Sequence, residues 1–305
     1  MSTVIVFGPT GRVGSVTACT AHEHGAKVFL AMRDTQKPIP GLSAEEEQAG
    51  GFERVQADLT DPDSVAAAVQ KSGARRAFIY LAFGTPDHMR STLRALKSSG
   101  IQFVVFLSSY TISGELADIP PSELIAYVHA QVEISLDEVF GQENYVAMRP
   151  GGFATNTLKF KAAINAGEVK LFAPDFKFDL ITPIDMGRVS GTILVQGPRN
   201  NQRKVYLYGP KILTQQESIG VIAKVLGKEV KFSKITAQEE LDGHIQAGTP
   251  RPVAEYIVRV TGDPEPAAGR RANYEEGVEN VKLYTGKPST GFEEWVEANK
   301  ELYSV

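Results

Sequence analysis

The chain has 305 residues, 42% of them hydrophobic, and a formal net charge of −4. These totals exclude an intrinsically disordered protein, and the lack of a basic excess argues against a nucleic-acid-binding surface. No apolar run is long enough to cross a bilayer and the first residues lack a signal-peptide pattern, so we expect a cytoplasmic protein with no membrane partner. The single cysteine, Cys19, excludes an intrachain disulfide, and no group of residues predicts a metal site.

The first predicted elements are a strand, a tight turn and a helix. Val4 to Phe7 form an apolar run that stops at Gly8, and Gly11 and Gly14 follow at three-residue intervals. Glycines let a phosphate approach the backbone, and a helix N-terminus offers it unpaired N–H groups. The turn is therefore predicted to bind the pyrophosphate of a dinucleotide, with a purely structural turn as the alternative. The residues predicted to bind it are Gly8, Thr10, Gly11, Arg12, Val13 and Gly14.

The second predicted strand, Lys27 to Arg33, ends in a basic residue. In nucleotide-binding folds an acidic residue at this place binds the adenosine ribose of NAD, whereas a guanidinium binds the 2′-phosphate of NADP. Arg33 therefore favours NADP(H), and Lys37 could add positive charge. Asp34 argues the other way, and Arg33 could also be a surface residue that only ends the strand.

Three more predicted strands alternate with helices. The strands are Phe52 to Ala57, Arg76 to Phe83 and Gln102 to Leu107. Asp61-Pro62 and Thr85-Pro86 each place an N-cap residue before proline, which predicts a helix start. Alternation at this spacing predicts an α/β fold with a doubly wound parallel sheet of Rossmann type.

The residues that follow these strands are the next candidates, because ligands bind at the carboxyl ends of parallel strands. Asp58 and Leu59 occupy the place that usually contacts the adenine. Small and aromatic groups that typically line the other side of the cofactor follow the later strands. They are Ala82, Phe83 and Ser108.

Several segments, in order, resemble the NmrA-like family of atypical short-chain dehydrogenase/reductases. They are GPTGRVG, MRD, QADLTDPDSVAAAV, FVVFLSSYTISG and YVAMRPGGFATN, followed by late segments up to LYTGKPSTGFEEWVEANKELY. The resemblance covers nearly the whole chain. It implies a Rossmann domain over residues 1–152, with a return segment at about 180–208, and a smaller α+β substrate domain mainly over 153–305.

The resemblance also implies positions for catalytic residues. Short-chain reductases use a Ser that orients the substrate carbonyl, a Tyr that exchanges the proton and a Lys four residues later that lowers the pKa of the Tyr. Here Ser109 and Tyr127 take the first two places, but the third is Gln131. If His129 is aligned instead, the lysine position falls on Glu133. Neither alignment supplies the lysine.

Without a nearby cation, a tyrosine keeps a pKa of about 10 and relays protons poorly at neutral pH. Tyr127 is therefore either the acid or a packing residue, while Gln131 could still bind a ribose hydroxyl. Some NmrA-like enzymes, including festuclavine dehydrogenases, also lack the relay, as expected when an iminium accepts the hydride. Regulatory members of the family bind the cofactor without catalysis.

The loop after the sixth predicted strand, Asn144 to Met148, carries the family's Arg-Pro signature. By the resemblance, Pro150, Gly152 and Phe153 close over the nicotinamide, with backbone groups at its carboxamide. The residues implied to face the substrate are Tyr110, Phe153 and Asn156. Five aromatic residues suggest an apolar pocket, although a packed interior would explain them equally: Phe83, Tyr110, Phe153, Phe172 and Phe176.

The second half loses the strict alternation of strand and helix. A hairpin-like excursion is predicted within Lys159 to Lys177, and Asp185 is predicted to cap a helix. Thr214 should cap a further helix, and Thr236 with Glu239 forms a predicted capping box. The stretch from Gly262 to Arg271 is predicted to be a flexible surface segment.

The sequence as a whole predicts an NADP(H)-dependent oxidoreductase that transfers hydride to or from a small, largely apolar substrate of carbonyl, quinone, imine or enone type. One alternative is a non-catalytic NADP(H)-sensing regulator with a protein partner. Another is an isomerase or dehydratase on the same fold, which would not consume NADPH.

Overall fold

The structure is a computed structural model that describes residues 2–263 and 271–304. Residues 264–270 of the predicted surface segment Gly262–Arg271 lie outside the described residues. Within the described ranges, no helix combines the length and apolar character that a membrane crossing requires.

A parallel sheet forms the centre of the molecule. The strands are β1 (Thr3–Phe7), β2 (Lys27–Met32), β3 (Glu53–Gln56), β4 (Arg76–Tyr80), β5 (Phe103–Leu107), β6 (Tyr145–Pro150), β7 (Glu168–Leu171), β8 (Lys177–Phe178), β9 (Lys204–Leu207), β10 (Leu213–Thr214) and β11 (Lys231–Lys234). Seven of these described strands form one sheet in the order β3-β2-β1-β4-β5-β6-β9, and every neighbouring pair is parallel. This confirms the predicted Rossmann fold.

Helices cover both faces of the sheet. They are α1 (Arg12–Glu23), α2 (Ala44–Ala49), α3 (Pro62–Ser72), α4 (Arg90–Ser98), α5 (Leu124–Phe140), α6 (Lys161–Ala166), α7 (Pro183–Gln196), α8 (Gln215–Val225), α9 (Ala237–Gln246), α10 (Arg251–Gly262), α11 (Tyr274–Thr285) and α12 (Phe292–Ala298). On one face α1 packs against α7, and Val6, Leu30 and Ile193 are buried there. On the other face Phe7 and Phe106 pack with residues of α3 to α5. Burial on both faces explains why these strands are almost continuously apolar.

The second half of the chain adds a further hydrophobic core around Ile219, Trp295 and Tyr303. Two small sheets flank it. The predicted hairpin is wrong, because β7 pairs in parallel with β11 whereas β8 pairs antiparallel with β10. The boundary near residue 152 stays a prediction.

Two of the predicted helix starts are wrong. Thr85-Pro86 does not begin α4; the Thr85 hydroxyl instead accepts the Met89 N–H at 3.0 Å, and the helix starts at Arg90. Thr182 caps α7 in place of Asp185, because its hydroxyl accepts the Asp185 N–H at 3.2 Å. The Asp185 carboxylate accepts the N–H and hydroxyl of Thr290 at 2.8 and 3.0 Å.

Other predicted starts are confirmed. Asp61 caps α3 with Pro62 at the first helical position, and Thr214 caps α8. The predicted capping box of Thr236 and Glu239 opens α9. In each of these three helices the capping side chain and the N–H group that it accepts lie within one helical turn.

Candidate functional site

The turn between β1 and α1 has the backbone geometry that an anion needs. Gly8 has a φ of +73°, and its N–H donates to the Ala31 carbonyl at 3.0 Å. A Cβ on Gly14 would lie 2.2 Å from the Gly8 carbonyl oxygen, so only glycine allows α1 this close to the strand. No side chain caps α1, and its first turn holds no acidic residue. The N–H groups of Arg12, Val13 and Gly14, in the first turn of α1, therefore have no partner among the described residues and are available to a bound phosphate.

A cavity of about 510 Å³ lies directly over this turn. We call it the glycine-loop cavity. It lies at the carboxyl ends of β1, β4 and β5, where a ligand of this fold binds. Its lining combines the predicted loop with residues from later strands and from the second half: Gly8, Thr10, Gly11, Arg12, Val13, Gly14, Phe78, Tyr80, Leu107, Phe153, Thr155 and Pro183.

Arg33 lies one strand away, directly after β2. It is exposed and forms no ion pair with any described side chain. The backbone hydrogen bond from Thr60 lowers the pKa of Asp58, and the Arg33 charge adds to this shift, so the two side chains share one region. Asp34 uses a carboxylate oxygen to accept the Gln36 N–H at 2.9 Å, which closes the turn after β2. Arg33 also opposes the rise that burial causes in the pKa of Tyr80, which lines the glycine-loop cavity. A guanidinium without an ion-pair partner in this region fits an extra phosphate.

The residues predicted to contact the adenine and the middle of the cofactor differ in how exposed they are. Leu59 and Ala82 are buried, at 3% and 8% exposure, and Leu59 is part of the core. Phe83 is 65% exposed. Tyr80 is not among the residues predicted from the sequence, although its ring lies against Gly8 and lines the cavity. Its position at the end of β4 was the only available signal.

Ser108 and Glu133 belong to a buried ionic network. The Ser108 hydroxyl donates to Glu133 Oε1 at 2.6 Å, so toward a cofactor this hydroxyl could act only as a hydrogen-bond acceptor. Arg149 donates to both Glu133 oxygens, at 3.1 Å from Nε and 2.6 Å from Nη2. Arg149 also donates to the Tyr206 hydroxyl at 3.0 Å. One alignment placed the missing lysine at position 133. In the structure the Glu133 carboxylate at this position pairs with the Arg149 guanidinium from β6.

None of the three predicted catalytic residues lines the glycine-loop cavity. Tyr127 is half-buried beside Ile112 and contacts His88 edge-on, with ring centroids 5.7 Å apart. The Ser109 hydroxyl lies 2.9 Å from that of Thr111. Gln131 is half-buried and makes no side-chain hydrogen bond with a described residue. A relay built from Ser109, Tyr127 and Gln131 therefore stays a prediction.

A second cavity of about 510 Å³ adjoins the first. We call it the aromatic cavity. Thr155 lines both cavities and so marks their junction. The walls come from a 3-10 helix (Ala154–Phe160), the connection between β7 and β8, and helices α8, α9 and α10. The lining residues are Thr155, Asn156, Thr157, Lys159, Phe160, Phe172, Ala173, Phe178, Leu180, Gln215, Ser218, Glu240, His244, Ile257 and Thr261.

Three titratable side chains form the polar end of the aromatic cavity. Lys159 Nζ lies 4.0 Å from Glu240 Oε1, and His244 Nε2 lies 3.3 Å from the same oxygen. His244 Nε2 is buried and has no well-oriented hydrogen-bond partner among the described residues. Burial lowers the pKa of Lys159, although Glu240 opposes the shift. The sequence analysis missed this cluster, because the lysine and the α9 residues are far apart in the chain.

The residues predicted to face the substrate or to line an apolar pocket are distributed over both cavities and the aromatic packing elsewhere. Phe153 lines the glycine-loop cavity, while Asn156 and Phe172 line the aromatic cavity. Tyr110 instead packs edge-on against Tyr208 with centroids 6.1 Å apart. A similar aromatic contact holds Phe176 against Phe178, at 4.8 Å.

The backbone groups expected at the nicotinamide carboxamide already have protein partners. The Pro150 carbonyl accepts the Tyr110 N–H at 3.1 Å. The Gly152 N–H donates to Asp179 Oδ2 at 3.3 Å. Their contact with a carboxamide stays a prediction, and it requires the second lone pair of the carbonyl or a shared N–H.

The sequence was compared with known families and curated proteins. The sequence model of the NmrA-like family matches residues 1–296. A nitrogen metabolite regulation-like protein, bik4, of Gibberella fujikuroi is 38% identical, and the match covers 99% of this chain and 98% of that protein. An NAD(P)H azoreductase of Xenophilus azovorans is 25% identical, with 99% of each chain covered.

Solved structures show the same fold. A quinone oxidoreductase of Escherichia coli, solved in complex with NADPH, superposes with a TM-score of 0.72. It is 20% identical, and the superposition covers 99% of this chain and 100% of the other.

Proposed function

The chain belongs to the NmrA-like family, and from this premise we propose that it is an NADP(H)-dependent oxidoreductase. It transfers hydride to or from a small, largely apolar organic substrate. The observation that carries the proposal is the junction at Thr155, where a cavity over a phosphate-binding turn meets an aromatic cavity. Such an arrangement brings a dinucleotide and a substrate into contact.

The residues of the glycine-loop cavity fit a dinucleotide. The amides of Arg12, Val13 and Gly14 would hold the pyrophosphate, and Arg33 the 2′-phosphate. Phe153 and Thr155 lie at the other end of the cavity, where a nicotinamide would meet the second cavity. The bound dihydronicotinamide would supply a hydride.

In this proposal most of the rate acceleration comes from holding the dinucleotide and the substrate in contact. Fixing two reactants in contact lowers a barrier by roughly 7 to 11 kcal/mol. The walls Phe160, Phe172 and Phe178 offer apolar surface that excludes water and orients a flat substrate. Relatives named as an azoreductase and a quinone oxidoreductase support a conjugated, largely apolar acceptor.

Stopped-flow mixing tests this function. Protein loaded with NADPH is mixed with a panel of quinones, imines and enones while NADPH absorbance is followed. We expect at least one acceptor to oxidise the bound NADPH in the wild type. Thr155→Phe, which fills the junction, should abolish this oxidation, and because Thr155 also lines the glycine-loop cavity, the NADPH affinity of this variant is measured alongside. Tight NADPH binding with no oxidation across the panel contradicts the enzymatic proposal.

A second candidate is an NADP(H)-sensing regulator. It is favoured by the relative named for nitrogen metabolite regulation and by Gln131 and Glu133 at the two possible lysine positions. A sensor would bind NADPH and NADP⁺ with different affinities and pass that difference to a protein partner. It would leave every acceptor in the panel unreduced.

A further inference from the structure

We propose that Lys159 binds and protonates the substrate oxygen, and that the substrate is a conjugated aromatic carbonyl compound such as an enone or a quinone. The inference rests on the proposed hydride transfer and names its proton donor and substrate class. It follows from the position of Lys159 in the aromatic cavity, four residues along the 3-10 helix from the junction residue Thr155.

The spacing of the junction and Lys159 along one short helix leaves room for a conjugated substrate. Both Thr155 and Lys159 belong to the 3-10 helix Ala154–Phe160, four residues apart. At a rise of about 2.0 Å per residue, their backbones lie about 8 Å apart along the axis. In a simple ketone the hydride-accepting carbon itself carries the oxygen. In a conjugated carbonyl compound several bonds separate them, and the long side chain of Lys159 can reach over the remaining distance to the oxygen.

The surroundings of Lys159 suit a proton donor. Its ammonium lies 4.8 Å from the centroid of the Phe160 ring, among apolar walls. Desolvation there lowers the pKa of Lys159 and so makes its proton easier to give up than that of an ordinary lysine. About half of the side chain stays accessible, so solvent can return the proton after each turnover.

Glu240 and His244 act as positioning residues. Glu240 lies between the two nitrogens, at 4.0 Å from Lys159 Nζ and 3.3 Å from His244 Nε2. Among the described residues that line the cavity, these three are the only titratable ones. The carboxylate balances the ammonium, so the polar end is close to neutral and suits a neutral carbonyl in the ground state. As hydride arrives, negative charge develops on that oxygen and strengthens its bond to Lys159.

The step balances as a two-electron reduction. The substrate carbon at the junction accepts the hydride, and a new C–H bond forms as the C=C π bond breaks. The electron pair moves through the conjugated system to the carbonyl oxygen. The oxygen takes a proton from the ammonium of Lys159, so an O–H bond forms as the N–H bond breaks. An enone then yields an enol, and a quinone yields a hydroquinone after proton transfer from carbon to its second oxygen.

A phenol probe tests the site without turnover. The ionised form of 4-nitrophenol resembles the developing oxyanion and absorbs visible light, so its binding to NADP⁺-loaded protein is measured by difference absorbance. We expect Lys159→Met to weaken nitrophenolate binding by about tenfold or more, since a charge-assisted hydrogen bond is lost. Lys159→Arg should keep part of the affinity. The matched control is Lys161→Met, because Lys161 is exposed on α6 and does not line the cavity.

The pH profile gives a second readout. The profile is read at pH values above the pKa of 4-nitrophenol, where the probe is ionised. There the affinity of the wild type for nitrophenolate should fall as pH rises through the pKa of Lys159, which lies below that of ordinary lysine. In Lys159→Arg this fall should disappear, since arginine stays protonated. Glu240→Gln removes the carboxylate that favours the ammonium, so the fall should move to lower pH.

The outcomes separate this inference from the proposed function. NADPH affinity is measured on every variant by its fluorescence. If Lys159→Met binds NADPH and nitrophenolate as the wild type does, the assignment of Lys159 is wrong while the oxidoreductase proposal stands. If the wild type binds no NADPH, the oxidoreductase proposal fails. Equal loss of nitrophenolate binding in Lys159→Met and Lys161→Met also overturns the assignment.

Discussion

Arg33 discriminates between the two nicotinamide dinucleotides in this account. It follows β2 and is exposed, and no described carboxylate pairs with it. Asp34, which the sequence left as a competitor, has a structural partner in the Gln36 N–H. The side chain that remains available to a ligand at the end of β2 is therefore the positively charged Arg33.

Arg33→Asp tests this assignment. The substitution replaces a phosphate-binding cation by a repelling anion, so we expect NADPH affinity to fall by about tenfold or more while NADH affinity changes little. Fluorescence titration with both dinucleotides measures the change. Arg94→Asp, on an exposed position of α4, is the charge-matched control. Unchanged NADPH affinity in Arg33→Asp would show that another residue meets the 2′-phosphate.

The buried pair of Glu133 and Arg149 supports the loop that carries Pro150 and Gly152. Their side chains are 0% and 2% exposed, so removing one leaves an uncompensated buried charge. We expect Arg149→Met to lower the free energy of unfolding by about 3 to 5 kcal/mol, measured by urea denaturation.

Two further variants show whether the lost free energy of unfolding comes from a buried unpaired charge or from the loss of side-chain contacts. Adding Glu133→Leu to Arg149→Met should recover part of the loss, because the orphaned carboxylate is gone. Lys27→Met, which breaks an exposed ion pair with Glu53, should change stability by about 1 kcal/mol or less. A double variant less stable than Arg149→Met alone would contradict the argument.

At the scale of elements, the close approach of α1 to β1 depends on Gly14. An added Cβ would lie 2.2 Å from the Gly8 carbonyl oxygen. Gly14→Ala should therefore cost about 1 to 3 kcal/mol of stability and weaken dinucleotide binding. The control is Gly220→Ala on α8, where a Cβ meets nothing within 4 Å and helix propensity predicts a gain of up to about 1 kcal/mol. Thermal unfolding and NADPH titration check both; equal behaviour of the two variants would refute the close-approach argument.

Helix α7 carries Pro183 into the wall of the glycine-loop cavity, and Thr182 starts it. Thr182→Ala should lower the free energy of unfolding by about 1 kcal/mol, because the Asp185 N–H loses its partner. Thr182→Ser keeps the hydroxyl and should lose less. Urea denaturation compares them, and equal losses in the two variants would show that the cap contributes little.

Sequence patterns predicted the elements whose signals are local. The strand, glycine turn and helix around Gly8 were correct because each residue acts on its neighbours. Thr182-Pro183, like Asp61-Pro62, is an N-cap residue followed by proline at the first helical position. The cap was nevertheless predicted at Asp185, because apolar residues follow Asp185 at helical spacing. Thr85-Pro86 obeyed the same rule without starting a helix, since Thr85 bonds to Met89 in a turn that precedes α4.

At the scale of the whole molecule, the candidate site joins segments that the sequence keeps apart. Thr155 and Lys159 come from a 3-10 helix, whereas Glu240 and His244 come from α9. No periodicity relates them, because only the tertiary packing of the second half brings α9 over the 3-10 helix. The same reason explains Glu133, whose partners Ser108 and Arg149 lie on two other elements.

The central claim is that the glycine-loop cavity and Arg33 together bind NADPH. Isothermal titration calorimetry of the full chain with NADPH and with NADH tests it most directly. We predict saturable heat with one site per chain and an NADPH affinity about tenfold or more above that for NADH, because only NADPH carries the 2′-phosphate. If neither dinucleotide produces binding heat, even at a large excess over the protein, the account is contradicted.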